Sequence, residues 1–269
     1  MPRFAANLSM MFNERPFLER FAAASQSGFT AVEYLFPYDH PAELVGETLR
    51  AAGLEQALFN LPPGDWSKGE RGMAALPERK AEFRASVETA VRYGRAIGTP
   101  LLHLMAGIAD PRSQAAQAAY LDALKFAADA AAAAGIGVVI EPINSRDMPG
   151  YFLNDFERAA EIITQVDRRN VGLQFDIYHR QVMRGDVTTA LKAFMPLIRH
   201  VQVASVPDRH EPGTGELDDF RVLRLLDELG YHGYVGCEYR PEGDTLSGLS
   251  WLAAFHERLR ANETPRDEV

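Results

Sequence analysis

Short apolar runs alternate along the chain with longer segments in which apolar residues recur every three or four positions. The runs fall at 4–8 (FAANL), 31–35 (AVEYL), 54–59 (LEQALF), 101–105 (LLHLM), 137–141 (GVVIE), 171–176 (VGLQFD), 199–204 (RHVQVA) and 234–238 (YVGCE). Their length and apolar character predict strands, most of them buried on both faces. The segments 16–27, 41–52, 78–97, 113–134, 154–165, 186–194, 218–229 and 245–260 carry helical spacing. Asn154 precedes an acidic first turn, a start signal. Gly28, Gly53, Gly98, Gly135 and Gly230 stand where helices should stop.

Eight strand–helix units in 269 residues predict α/β architecture, a single (β/α)8 TIM barrel over residues 1–260. A polar, Pro-containing tail at 261–269 is expected to fray. An open doubly wound sheet is the runner-up, but no Gly-rich fingerprint follows the first strand. Two connections exceed ordinary βα loops: 60–77 (NLPPGDWSKGERGMAALP) and 205–219 (SVPDRHEPGTGELDD). Long ordered loops in a compact domain are often lids or binding loops.

Composition narrows the function. A net charge of −9 speaks against binding a phosphate backbone, so no nucleic-acid partner is expected. Cys237 is the lone cysteine, which excludes an internal disulfide or a thiolate metal cluster and fits a reducing cytoplasm. No apolar run approaches the roughly 18 residues of a membrane helix, and no signal-peptide core opens the chain, so no membrane partner is expected. G-x-S-x-G, Walker and H-E-x-x-H motifs are absent, which leaves nucleophilic serine, P-loop and thermolysin-like chemistry without support.

One run raises a question. Val138, Val139 and Ile140 lead into Glu141, and a buried unpaired carboxylate is costly. In a barrel the C-terminal strand ends converge on one face. Glu141, Asp176 and Glu238 end predicted strands there, and Gln202 lies in the seventh. Three carboxylates that close would force one another to take up protons. A divalent cation removes that conflict, and oxygen ligands favour Mg2+ or Mn2+ before Co2+ or Zn2+. Taken singly, each acid could instead be a solvated strand end or the partner of Arg146 or Arg240.

Other candidates surround this set. His179, three residues beyond Asp176, either faces the mouth or begins the next helix. His103 lies inside the fourth strand, where a satisfied core histidine slightly outweighs a ligand. His200 is expected to face outward toward the helices, as is Cys237, read as core and not nucleophile. Trp66, Lys68, Glu70 and Arg71 cluster in the first long loop, and an exposed Trp in a Gly-rich loop is unusual. Lys68, Arg71 or Arg209 could clamp an anionic substrate.

At these residues the sequence resembles the hydroxypyruvate isomerase family, within the xylose isomerase-like barrels. The motifs that carry the resemblance are RFAANLSMMF, FNLPPGDWSKGERGMA, IEPIN, QFDIYH, FMPLIRHVQVA, EPGTGEL and YVGCEYRP. Together they run through nearly the whole chain, and the first long loop is the most specific. The resemblance implies metal-dependent interconversion of hydroxypyruvate and tartronate semialdehyde through an enediolate, or the same chemistry on a 2-oxo-tetronate. It implies that Glu141 and Glu238 are the catalytic pair, and that Asp176 and Gln202 complete the metal-facing positions. Related ketose epimerases usually carry His where this chain has Gln202. The partner implied is a small anionic 2-oxo acid, and barrels of this kind often pair as homodimers. Rival readings are a ketose epimerase or inosose dehydratase, a DNA-repair endonuclease, and a barrel that binds a sugar acid without turnover. Many histidines and a basic groove, which the nuclease needs, are missing.

Overall fold

The computed structural model describes residues 2–263. Eight parallel strands close into a barrel in chain order. They are β1 (Arg3–Asn7), β2 (Ala31–Tyr34), β3 (Glu55–Asn60), β4 (Leu101–His103), β5 (Gly137–Ile140), β6 (Val171–Asp176), β7 (Ile198–Val203) and β8 (Tyr234–Cys237). Closure comes from β1 lying against β8, with Arg3 opposite Tyr234 and Ala6 opposite Cys237. The helices are α1 (Phe17–Gln26), α2 (Ala42–Ala51), α3 (Lys80–Ile97), α4 (Gln114–Ala132), α5 (Phe156–Val166), α6 (Ile177–Met183), α7 (Val187–Phe194), α8 (Asp219–Glu228), α9 (Thr245–Gly248) and α10 (Ser250–Glu263). None of the described helices is long and apolar enough to cross a membrane.

The apolar stripes of the helices lie on the outward faces of the strands. Phe156 of α5, for example, meets Phe175 of β6 with ring centroids 5.0 Å apart. Each such ring fully buried stabilises the fold by about 1.5–3 kcal/mol. The inward faces differ. Ala5, Ala31 and Ala57 form a small cluster of their own, and polar side chains fill the barrel toward its C-terminal end.

Three departures from the pattern have local causes. Asp155, not Asn154, caps α5, accepting the Arg158 N–H at 2.8 Å. The 245–260 segment is two helices, and Asp244 caps the first by accepting the Ser247 N–H. The apolar run 101–105 stops being strand after His103 because the chain there joins a layer of loops over the barrel. In that layer Gly72 bridges Ala106, and Ile108 bridges Tyr151. Gly72 has φ +107, and a Cβ there would run into the Met105 carbonyl; only glycine fits. Residues 261–263 continue α10, and the rest of the expected tail, 264–269, lies outside the described residues.

Candidate metal and active site

Glu141 and Glu238 each stand one residue past a strand, and Asp176 is the last residue of β6. All three are buried. Asp176 also caps α6: its Oδ1 accepts the N–H groups of Tyr178 (2.7 Å) and His179 (3.2 Å). That cap starts a helix directly after the strand and swings His179 back over the mouth. One ligand atom each from Glu141, Asp176, His179 and Glu238 lies within 4.8 Å of the others. His103 Nε2 lies 3.6 Å from Glu141 Oε2.

One cation sits among these acids. Arg209 Nη2 is 2.5 Å from Glu238 Oε2 and 3.7 Å from Asp176 Oδ2, and its guanidinium lies 4.9 Å from the centre of the Tyr178 ring. Its backbone is left-handed, φ +61, a conformation that costs a non-glycine residue of order 1 kcal/mol. The second long loop holds that strain in order to aim the guanidinium inward.

Burial dominates the electrostatics. It pushes Glu141 well above the usual carboxylate range, and Glu238 and Asp176 push it further. Glu238 is raised to about 8, by burial first, with Arg209 pulling the other way. Asp176 is raised by burial, against Arg209 and its two backbone donors. Burial lowers His179 well below its ordinary value and takes His103 down to about 3, so both imidazoles are neutral at pH 7. Glu141 Oε1 and Asp176 Oδ2 have no hydrogen-bond partner. Clustered, protonation-prone carboxylates with orphaned oxygens are what a hard divalent cation relieves. The residues fit one.

Gln202 lies inside the barrel, opposite Asp176 on β6 and Gly236 on β8. Its Oε1 accepts from Gln174 Nε2 at 2.6 Å and its Nε2 donates to Glu33 Oε1 at 2.8 Å. Glu33 is a functional candidate that the strand-end argument missed. Fully buried in β2, its carboxylate also accepts from Asn7 Nδ2 (2.9 Å) and contacts His200 Nε2 (2.6 Å). The signal was present: a charge in the middle of a strand buried on both faces has no solvent to reach. Gly236 makes room for it, since a Cβ there would collide with the Glu33 carboxylate.

The expectation for His200 is therefore corrected. Two residues from Gln202 along a strand, it shares that residue's inward face, and its ring is spent on Glu33. Cys237 is fully buried, and burial raises its thiol well above its ordinary value.

The first long loop is organised around its own charges. Asp65 caps the Trp66–Lys68 turn and pairs with Lys68 at 2.8 Å. Lys68 is 78% exposed. Glu70 accepts the Asp65 N–H (2.7 Å) and two bonds from Arg79 (3.0 and 3.2 Å). The Arg71 guanidinium stacks 3.7 Å from the Trp66 ring centre, and Phe36 packs on the same indole. Among the described residues, no hydrogen bond or ion pair joins these four loop side chains to the carboxylate cluster. At the opposite end of the barrel a cavity of about 790 Å3 is lined by Arg3, Arg50, Arg95 and Arg199. Three of these, Arg3, Arg50 and Arg199, bond to backbone carbonyls.

Comparison with known proteins identifies the family of the chain. Residues 21–255 match the model of the xylose isomerase-like TIM barrel family. A 2-oxo-tetronate isomerase of Cupriavidus necator is 53% identical over 257 residues, covering 95% of this chain and 99% of that protein. The chain belongs to the hydroxypyruvate isomerase family of xylose isomerase-like barrels. The hydroxypyruvate isomerase of Escherichia coli is 42% identical, covering 95% of this chain and 100% of that one. A solved structure from Brucella melitensis, described as an AP endonuclease of family 2, superposes with a TM-score of 0.92 at 49% identity, covering 94% of this chain and 99% of that chain.

Proposed function

We propose that this protein is an isomerase that moves the carbonyl of a small 3-hydroxy-2-oxo acid from C2 to C3: a keto–aldehyde (aldose–ketose type) conversion of hydroxypyruvate to 2-hydroxy-3-oxopropanoate, or the corresponding keto–keto conversion of a 2-oxo-tetronate. The observation that carries the reading is the buried set of Glu141, Asp176 and Glu238 around Arg209, in a chain 53% identical to a 2-oxo-tetronate isomerase. The two substrates differ only in whether C3 carries a hydrogen or a hydroxymethyl group. That identity favours the four-carbon acid.

Moving the carbonyl from C2 to C3 requires removing the C3 proton and returning one to C2. Glu141 and Glu238, buried and both raised above the ordinary carboxylate range, Glu238 to about 8, suit proton transfer in both directions. A divalent cation, Mg2+ or Mn2+ before Co2+ or Zn2+, held by Glu141, Asp176, Gln202 and Glu238, would supply electrophilic polarisation of the substrate oxygens. Arg209 is the cation placed to hold the substrate carboxylate, and His179 faces the same volume. His103 backs Glu141. Trp66, Lys68, Glu70 and Arg71 shape the loop that would close over the mouth, Arg71 and Trp66 by their stack and Glu70 by its bonds. The acidic surface and the lone, buried Cys237 suit a cytoplasmic enzyme of small metabolites, without nucleic acid.

The test is a metal-depleted preparation resupplied with Mg2+ or Mn2+ and incubated with each acid in D2O, followed by proton NMR. Metal-dependent product carrying solvent deuterium, lost in Glu238→Gln, is expected. Turnover of neither acid with any metal would overturn the isomerase reading. Epimerised ketoses would then point to an epimerase, and tight binding without conversion to a binding barrel. Product without deuterium would keep the isomerase and replace proton exchange by a hydride shift or a shielded transfer.

A further inference from the structure

The side chain of Asn144 is gripped at both ends. Its Oδ1 accepts the backbone N–H of Asp147 at 2.8 Å, and its Nδ2 donates to the Asp147 carboxylate at 3.2 Å. A backbone N–H can only donate and a carboxylate oxygen here only accepts. The two bonds therefore fix which end of the amide is oxygen. The second Nδ2 hydrogen points at His179 Nδ1, 2.7 Å away, and the Asn144 backbone N–H points at the same nitrogen from 3.5 Å. Two donors facing one ring nitrogen require it to be an acceptor. A hydrogen on Nδ1 would collide with both.

We propose that Asn144 is a positioning residue that locks His179 as the Nε2–H tautomer, so that His179 is a hydrogen-bond donor to a substrate oxygen and not a metal ligand. Only a ring nitrogen with a free lone pair ligates a metal. The Nε2–H of His179 points between Glu141 Oε1 (3.8 Å) and Asp176 Oδ2 (3.6 Å), the two oxygens without partners. Both distances are too long for a hydrogen bond, so the donor is left for a third atom in that space. With Nδ1 held as an acceptor by two donors, the ring hydrogen belongs on Nε2.

The tautomer assignment stands on geometry alone; the role toward substrate rests on the isomerase reading. An oxygen that gains negative charge when the C3 proton leaves is then met by a neutral donor already aimed at it. The sequence segment EPINSRD thus delivers two things: a carboxylate at Glu141, and three residues later the amide that sets its neighbour's proton.

The experiment is a long-range proton–nitrogen correlation spectrum of the 15N-labelled full chain, with and without Mg2+, the His179 signals assigned by their loss in His179→Gln. The expected pattern is an unprotonated Nδ1 and a protonated Nε2 in both samples. An Nδ1–H tautomer, or loss of the Nε2 proton when metal is added, overturns the proposal. A second variant, Asn144→Asp, presents an acceptor to Nδ1 and should reverse the pattern. It should also lower kcat about 100-fold with little change in KM, the scale for removing one aimed donor. An unreversed pattern in a folded Asn144→Asp protein also overturns it. Failure of the isomerase reading would show as no turnover by the wild type, whatever the spectra.

Discussion

The weight of single residues in this site follows from which polar groups have alternatives. Glu33 has none. It is fully buried and bound to Asn7, His200 and Gln202. It accepts from Gln202 Nε2, which leaves Gln202 Oε1 to accept from Gln174 Nε2. Replacing it by Gln introduces an NH2 group where three donors converge. The expected result is a loss of about 1–3 kcal/mol in urea unfolding, the cost of leaving buried donors unpaired. Metal affinity should fall about 10- to 100-fold, as when a group behind a ligand is lost. A Glu33→Gln protein that binds Mn2+ like the wild type would show that Gln202 needs no such support. Glu141 and Glu238 were legible in the sequence because each closes an apolar run, and a charge at a strand end has a geometric destiny in a barrel. Glu33 was easier to overlook, although a charge inside a strand stood there to be read. It lies between Val32 and Tyr34, where one polar residue reads as ordinary alternation until closure shows that neither face meets water.

At the scale of elements, the strands and most helices could be read from periodicity alone, because burial on two faces and on one stripe leave different spacings. The helix α6 could not. Asp176 both ends β6 and caps the next helix, so strand and helix share a residue and no turn signal separates them. His200 is a different case: two residues from Gln202, it shares that residue's inward face, and strand alternation makes this readable from the sequence. The first long loop was legible as special, but not for the reason its charges suggested. Lys68 and Glu70 are used within the loop, on Asp65 and Arg79. Glu70→Ala should leave the thermal midpoint of global unfolding close to that of the wild type, since its pairs are largely solvent-screened. It should nonetheless release the loop, with faster hydrogen exchange and proteolysis across 61–77 and a raised KM. Gly64 predicts the same dependence, because a Cβ there would strike the Glu70 carboxylate. Unchanged exchange in Glu70→Ala would mean that the Arg71–Trp66 stack, not the Glu70 bonds, sets the loop.

For the whole molecule, the site makes stability a function of pH and metal together. In the metal-free chain Glu238 titrates near 8, against an ordinary 4.5. Between those values the folded state holds more protons than the unfolded one. Stability contributed this way is present below about pH 4.5 and is lost as pH rises through about 8. His103 runs oppositely. Held down to about 3 against an ordinary 6.5, it binds fewer protons when folded, so stability is gained as pH rises to about 6.5. Above that point the raised Glu238 carboxyl still acts, and metal-free stability should decline from about pH 6.5 to pH 8. A divalent cation binds the ionised acids and must displace their protons, so it gains affinity over the same interval. The thermal midpoint with saturating Mg2+, minus that in chelator, should therefore grow steadily from pH 6 to pH 8. In Glu238→Gln the growth should shrink, because a carboxyl raised to about 8 is gone. A metal-induced shift that is large but flat with pH would place the cation away from Glu141, Asp176 and Glu238. Its absence at every pH would remove the reason these three acids share one end of the barrel.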